Sequence, residues 1–139
     1  MLETAENITN ASSLNGLSLA FLGDSVYEVM VREYLLQNGS TQVAKLQKAA
    51  VNIVRASAQA RFFDIIEPLL DEEEHSILFR GRNTSSTHIP KSAKAIEYRK
   101  ATGIEALFGW LYLNGKNERL REIFNIIIEN ATDKVNEIE

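Results

Sequence analysis

Residues 101–115 read ATGIEALFGWLYLNG, a stretch with a single charged side chain. Ile104, Leu107, Phe108 and Leu111 fall at i, i+3, i+4 and i+7, the spacing of one face of an α-helix. Asn114-Gly115 supplies a stop, so the pattern predicts a helix over about residues 93–114. Glu105 stands inside it. Its i−4 and i+4 neighbours, Ala101 and Gly109, are small, so the Glu105 side of this helix is open to close approach by another helix.

Working outward, helical signals run nearly end to end. Residues 16–37 place Leu19, Leu22, Val26, Val29 or Met30, and Val31 near the three-or-four spacing, with Asn38-Gly39 as the stop. Ser40 or Thr41 can cap a second helix that carries Val43, Leu46, Ala49 or Ala50, Ile53 and Val54 and continues to Pro68. Asp71 to Glu74 puts acids into a first turn, where the macrodipole favours them, and reads as a solvated helix start. Gly81 to Ser92 lacks periodicity and reads as a loop. A last helix over about residues 117–130 presents Leu120, Ile123, Phe124 and Ile127. No segment alternates long enough to make a strand. The fold class is all-α, with five to seven helices. The organisation expected is a flexible leader at 1–13, one domain at 14–130 and a tail at 131–139.

Composition narrows the chemistry. The chain has 139 residues, 45% of them hydrophobic, which suits one soluble domain with a single core. It has no cysteine, which excludes disulfides, thiol catalysis and Cys-ligated zinc or iron–sulfur sites. Two histidines, His75 and His88, are too few for a multi-His metal site. The N-terminus has acids where a signal peptide needs bases, and no apolar run approaches the ~20 residues of a membrane span. A cytoplasmic protein is expected.

Two carboxylates stand out. Asp24, in LAFLGDSVYE (residues 19–28), lies among Phe21, Leu22 and Val26, where a buried acid needs a partner. Gly23 beside it allows another backbone to come close. Separately, Asp24 reads as an N-cap and Glu105 as a solvent-facing helical residue. Together, two acids on different helices can converge on a hard cation such as Mg2+, which needs only one or two carboxylates plus substrate phosphate. Spacing alone does not bring them together.

FLGDSV (residues 21–26), IEALFGWLYL (104–113) and the intervening LFRGRN (78–83) and IPKSA (89–93) give the chain a family resemblance. It resembles the ribonuclease III family, and within it the short Mini-III branch that lacks a double-stranded RNA-binding domain. The resemblance covers roughly residues 14–130. It implies a Mg2+-dependent endoribonuclease that hydrolyses double-stranded RNA, leaving 5′-phosphate and 3′-hydroxyl ends, with Asp24 and Glu105 as catalytic and metal-holding residues. It also implies a homodimer, in which Phe21 matches the aromatic inserted into the partner. The implied substrate is precursor 23S ribosomal RNA, with room for assistance by a ribosomal protein. Typical family members carry acids where this chain has Leu17, Ala20 and Thr102. A non-catalytic RNA-binding or ribosome-associated protein on the same fold is therefore the alternative reading, and a helical interaction module a third.

Charge is unevenly spread. The whole chain carries −4, yet residues 80–100 carry +5 and residues 40–61 carry +4. The +5 segment leads into the helix of Glu105. A-form RNA is contacted mainly through phosphates and 2′-hydroxyls. Arg80, Arg82, Asn83, Thr84, His88, Lys91 and Lys94 are the RNA-binding residues expected there. Trp110, Tyr112 and Phe124 are expected in the core. Glu28 has two readings: support for Asp24 at i+4, or an ion pair with Arg32.

Overall fold

The structure is a computed structural model, and it describes residues 10–38, 41–84 and 94–135. It contains α1 (Gly16–Asn38), α2 (Val43–Val54), α3 (Ala56–Ile66), α4 (Glu72–Arg82), α5 (Ala95–Leu113) and α6 (Asn117–Val135). Two 3-10 turns, Ala11–Ser13 and Glu67–Leu69, join them, and no strand occurs among the described residues. The all-α expectation holds. Gly39, Ser40, His88 and Lys91 lie outside the described residues.

Helix α5 is the axis of the molecule. Ala101 to Leu111 are buried on all sides except at Glu105, because α1, α3 and α4 pack around this helix. Close packing needs small residues at the crossings. A Cβ on Gly81 of α4 would meet Ala106 Cβ at 2.6 Å and the Thr102 carbonyl at 2.8 Å, and one on Gly103 would meet the Leu78 carbonyl at 2.8 Å. Gly81 and Arg82 therefore belong to α4, where the sequence predicts the start of a loop. Tertiary contact holds the helix past its glycine.

The predicted second helix is two helices. At Arg55 the backbone is extended (φ −63°, ψ 152°), ending α2 and starting α3. Neither Gly nor Pro marks the break. Its exposed carbonyls are instead satisfied by distant or local side chains: Tyr27 Oη donates to Ile53 O at 2.8 Å, and Gln59 Nε2 donates to Val54 O at 2.8 Å. Helix α6 runs five residues past its expected end at Asn130. The N-terminal segment also joins the fold: Ala11 is buried, and Ser12 Oγ accepts from Trp110 Nε1 at 3.0 Å. Trp110 and Phe124 are core residues, and Tyr112 is half-buried.

The acidic helix start departs from its expected solvation. Asp71 is the N-cap, and it forms a capping box with Glu74. Glu74, however, is 1% exposed. Its carboxylate takes two hydrogen bonds from Arg119 of α6, at 2.7 and 2.9 Å, which pins the start of α4 to α6.

Candidate active site

The site is built where α1 crosses α5. A Cβ on Gly23 would sit 1.6 Å from the Glu105 carbonyl oxygen and 2.8 Å from the Gly109 nitrogen. A Cβ on Gly109 would sit 2.1 Å from the Leu19 carbonyl. The two backbones are in contact through this glycine pair, and no other residue type fits either place. Asp24 follows Gly23 directly, so the crossing delivers its carboxylate onto Glu105.

The Asp24 carboxylate is close enough to act on that of Glu105. Burial, then the hydrogen bond to Asp24 and its negative charge, push the Glu105 carboxyl up to about 9. Glu105 thus keeps its proton at neutral pH. Glu105 is half-buried and Asp24 exposed, so the pair opens to solvent on the Asp24 side. Held this close, the two acids cannot both ionise readily unless a cation joins them. The donor set suits Mg2+, a hard ion that binds through one or two carboxylates and completes its shell with water and phosphate oxygens.

Nothing else described adds a carboxylate. Thr102 is buried and its Oγ1 donates to the Tyr98 carbonyl at 2.9 Å, Ala20 is buried, and Leu17 is apolar. Glu28 takes the second of its two readings, accepting from Arg32 Nε at 3.1 Å. Among the described residues no group of three or more His, Asp or Glu could hold a metal. Tyr27, one turn from Asp24, went unassigned in the sequence. It is buried against Phe108, its hydroxyl bonds Ile53 O, and burial, with the charges of Glu105 and Glu28, raises that hydroxyl well above the ordinary tyrosine range. Its place at i+3 from Asp24 was the available signal.

Phe21 is 85% exposed, a large apolar ring in water on the face of α1 away from the core. An apolar groove of about 520 Å3 runs between α1 and α2, lined by Leu35, Leu36, Val43, Leu46, Val51 and Val54 with Glu28 and Arg32 at its edge. Glu28 and Arg32 succeed Phe21 at i+7 and i+11, so ring and groove share one side of α1.

The basic segment divides into two jobs. Arg80 is half-buried, and its guanidinium donates to the carbonyls of Ser12 and, at 3.0 Å, Leu14, tying the N-terminal turn to α4. Thr84 Oγ1 donates to Arg80 O at 2.6 Å and packs over Gly16. These two, expected on RNA from the sequence, are engaged inside the fold. Arg82 lies over the Phe79 ring at 5.4 Å and donates to Asn83 Oδ1 at 3.0 Å. Asn83 and Lys94 are exposed at the two ends that flank residues 85–93. His88 and Lys91 fall outside the described residues.

The comparisons with known proteins agree with this geometry. Residues 17–116 match the model of the ribonuclease III domain. A Mini-ribonuclease 3 of Symbiobacterium thermophilum is 45% identical over 84% of this chain and 89% of its own length. That of Clostridium tetani is 44% identical over 83% of this chain and 77% of its own. The crystal structure of a Fusobacterium nucleatum protein superposes with a TM-score of 0.76 at 37% identity, covering 85% of this chain and 94% of that one. With the match spanning both carboxylates and the helices that carry them, the chain belongs to the ribonuclease III family, in its Mini-ribonuclease 3 branch.

Proposed function

We propose that this chain hydrolyses double-stranded RNA at the Asp24–Glu105 pair with Mg2+, leaving 5′-phosphate and 3′-hydroxyl ends. That it is an endoribonuclease follows from its family. The observation that carries the site assignment is the Gly23–Gly109 crossing, which brings the Asp24 carboxylate up to that of Glu105. Asp24 and Glu105 would hold the cation. When bound, Mg2+ supplies positive charge that polarises the phosphodiester and favours ionisation of the attacking water. The chain's own residues do the rest. Glu105 would hold the cation in its ionised form, beside Asp24, and the close α1–α5 crossing keeps the two carboxylates together. Arg82, Asn83 and Lys94 meet the RNA backbone at the corner of α4 and α5, and His88 and Lys91 are assigned there from sequence alone.

A homodimer acting on precursor 23S ribosomal RNA in the cytoplasm, aided by a ribosomal protein, completes the reading. No described helix is long and apolar enough to cross a membrane. The exposed Phe21 ring and the apolar groove on the same side of α1 support self-association. Phe21→Ala should convert dimer to monomer in sedimentation; an unchanged dimer would remove Phe21 from the interface.

The decisive test incubates duplex RNA with the protein, with and without Mg2+, beside Asp24→Asn and Glu105→Gln. Cleavage by the parent alone, and only with Mg2+, is expected. Duplex binding without cleavage would favour the non-catalytic reading, which the loss of acids at Leu17, Ala20 and Thr102 motivates.

A further inference from the structure

We infer that the cavity where α4 ends and α5 begins binds a backbone phosphate of the RNA, with Arg99 as its main ligand. The inference rests on the RNA reading above and adds a residue which that reading lacks. The cavity holds about 340 Å3 and is lined by Arg82, Asn83, Ala95, Ile96 and Arg99. Two guanidinium groups face it, and none of the lining residues is acidic.

Most other basic side chains in the fold already have partners. Arg32 pairs with Glu28, Lys100 with Asp64 and Arg119 with Glu74. Arg82 is held in place by the Phe79 ring and by Asn83. Arg99 is exposed and, among the described residues, makes no hydrogen bond, ion pair or ring contact. Two like charges around one hollow repel each other, and an anion between them removes that repulsion. Ala95 and Ile96, the latter 55% exposed, give the hollow an apolar wall, which lowers the local dielectric and strengthens each charged hydrogen bond. The planar guanidinium fork matches two oxygens of a phosphate.

Position gives the cavity a purpose. Arg99 and Glu105 lie on the same helix, six residues apart, a rise of about 9 Å. A phosphate held at Arg99 therefore fixes one strand at a set distance from the carboxylate pair. Arg99 acts as a positioning residue, not a catalytic one.

The test measures binding of a labelled RNA duplex by anisotropy in EDTA, across a salt series. Arg99→Ala should weaken binding about tenfold and lower the slope of log K against log salt by about one. Arg99→Lys should restore the slope but only part of the affinity, since a point charge cannot make the fork contact. In Mg2+ the Arg99→Ala variant should raise KM more than it lowers kcat. Arg121→Ala, which removes an exposed charge on α6, should leave all of these at parental values. Parental affinity and slope in Arg99→Ala would overturn the site, as would an equal loss in Arg121→Ala, which would make net charge the cause. If Arg99→Ala kept RNA binding but lost binding of a poly-glutamate probe, the cavity would be a carboxylate site and the proposal would fall. If the parent neither bound nor cut the duplex, the RNA reading itself would fail, and this inference with it. Because Arg99 has no partner to lose among the described residues, the variant's melting temperature should match the parent's, so a binding defect cannot be ascribed to misfolding.

Discussion

Glu74 and Glu105 are glutamates on adjacent helices, both withdrawn from water, and their surroundings drive them in opposite directions. At Glu74, burial acts to raise the carboxyl pKa, but the Arg119 hydrogen bonds, the Asp71 backbone N–H and the charges of Arg119 and Lys116 outweigh it and hold the group ionised. At Glu105 burial works with a second carboxylate, Asp24, and the group is held protonated with a value of about 9. One glutamate has both carboxylate oxygens answered inside the fold. The other has been given a neighbour of its own sign. An acid that the fold leaves unanswered is free to take a cation from outside, and that contrast is what supports the proposed role of Glu105 beside the structural role of Glu74.

Exchanging each acid for its amide should break the two apart. Glu105→Gln should lower cleavage of duplex RNA by about a thousandfold or more, since one of only two charges available to the cation is gone. Glu74→Gln should leave the cleavage rate per folded molecule unchanged. Full activity in Glu105→Gln would end the distinction.

Stability should rank them the other way. Removing one partner of a buried ion pair strands the other, so Glu74→Gln or Arg119→Met should cost ~3–5 kcal/mol in urea unfolding. A loss below about 1 kcal/mol would show that Arg119, which is part-exposed, finds water as good a partner.

The smallest effect is a pair of opposite pH dependences. The folded pKa of Glu105 is raised, so the folded protein binds more protons than the unfolded chain between the ordinary 4.5 and about 9. Its contribution is complete below 4.5 and is lost as pH rises through about 9. Without metal, the melting temperature should therefore fall on the alkaline side, and Glu105→Gln should recover about 2–6 °C at pH 9. The folded pKa of Glu74 is lowered, so its contribution is present above 4.5 and lost as pH falls below that value. Acid melts of Arg119→Met should lack that loss. An alkaline slope unaffected by Glu105→Gln would mean that the carboxyl ionises freely in the folded state.

Glu74 also shows where reading from sequence stops. Four acids at a helix start fit the macrodipole rule equally well whether they are solvated or buried, and only the approach of Arg119, 45 residues away, chose one for burial. The break at Arg55 was hidden for the same reason. Its signal is the hydroxyl of Tyr27, 26 residues away, and the amide of Gln59, five away, covering two freed carbonyls, and no helix-stop pattern includes either. Arg80 and Thr84 looked like RNA contacts while they counted only as charge and polarity in a segment. The fold gives both hydrogen-bond partners within the chain, Arg80 at the carbonyls of Ser12 and Leu14 and Thr84 at that of Arg80.

By itself the sequence determined the helical class and the absence of thiol chemistry, and it singled out Asp24 and Glu105 as the acids for which we propose the metal role. Periodicity, composition and the small neighbours of Asp24 and Glu105 are local properties, and they survive in a string of letters. The convergence of those acids was decided by tertiary structure alone. It depends on Gly23 and Gly109 meeting across 86 residues of chain so closely that no Cβ fits. Only packing can turn two isolated carboxylates into one pair, because a distance in space between remote residues is not written in their spacing along the chain.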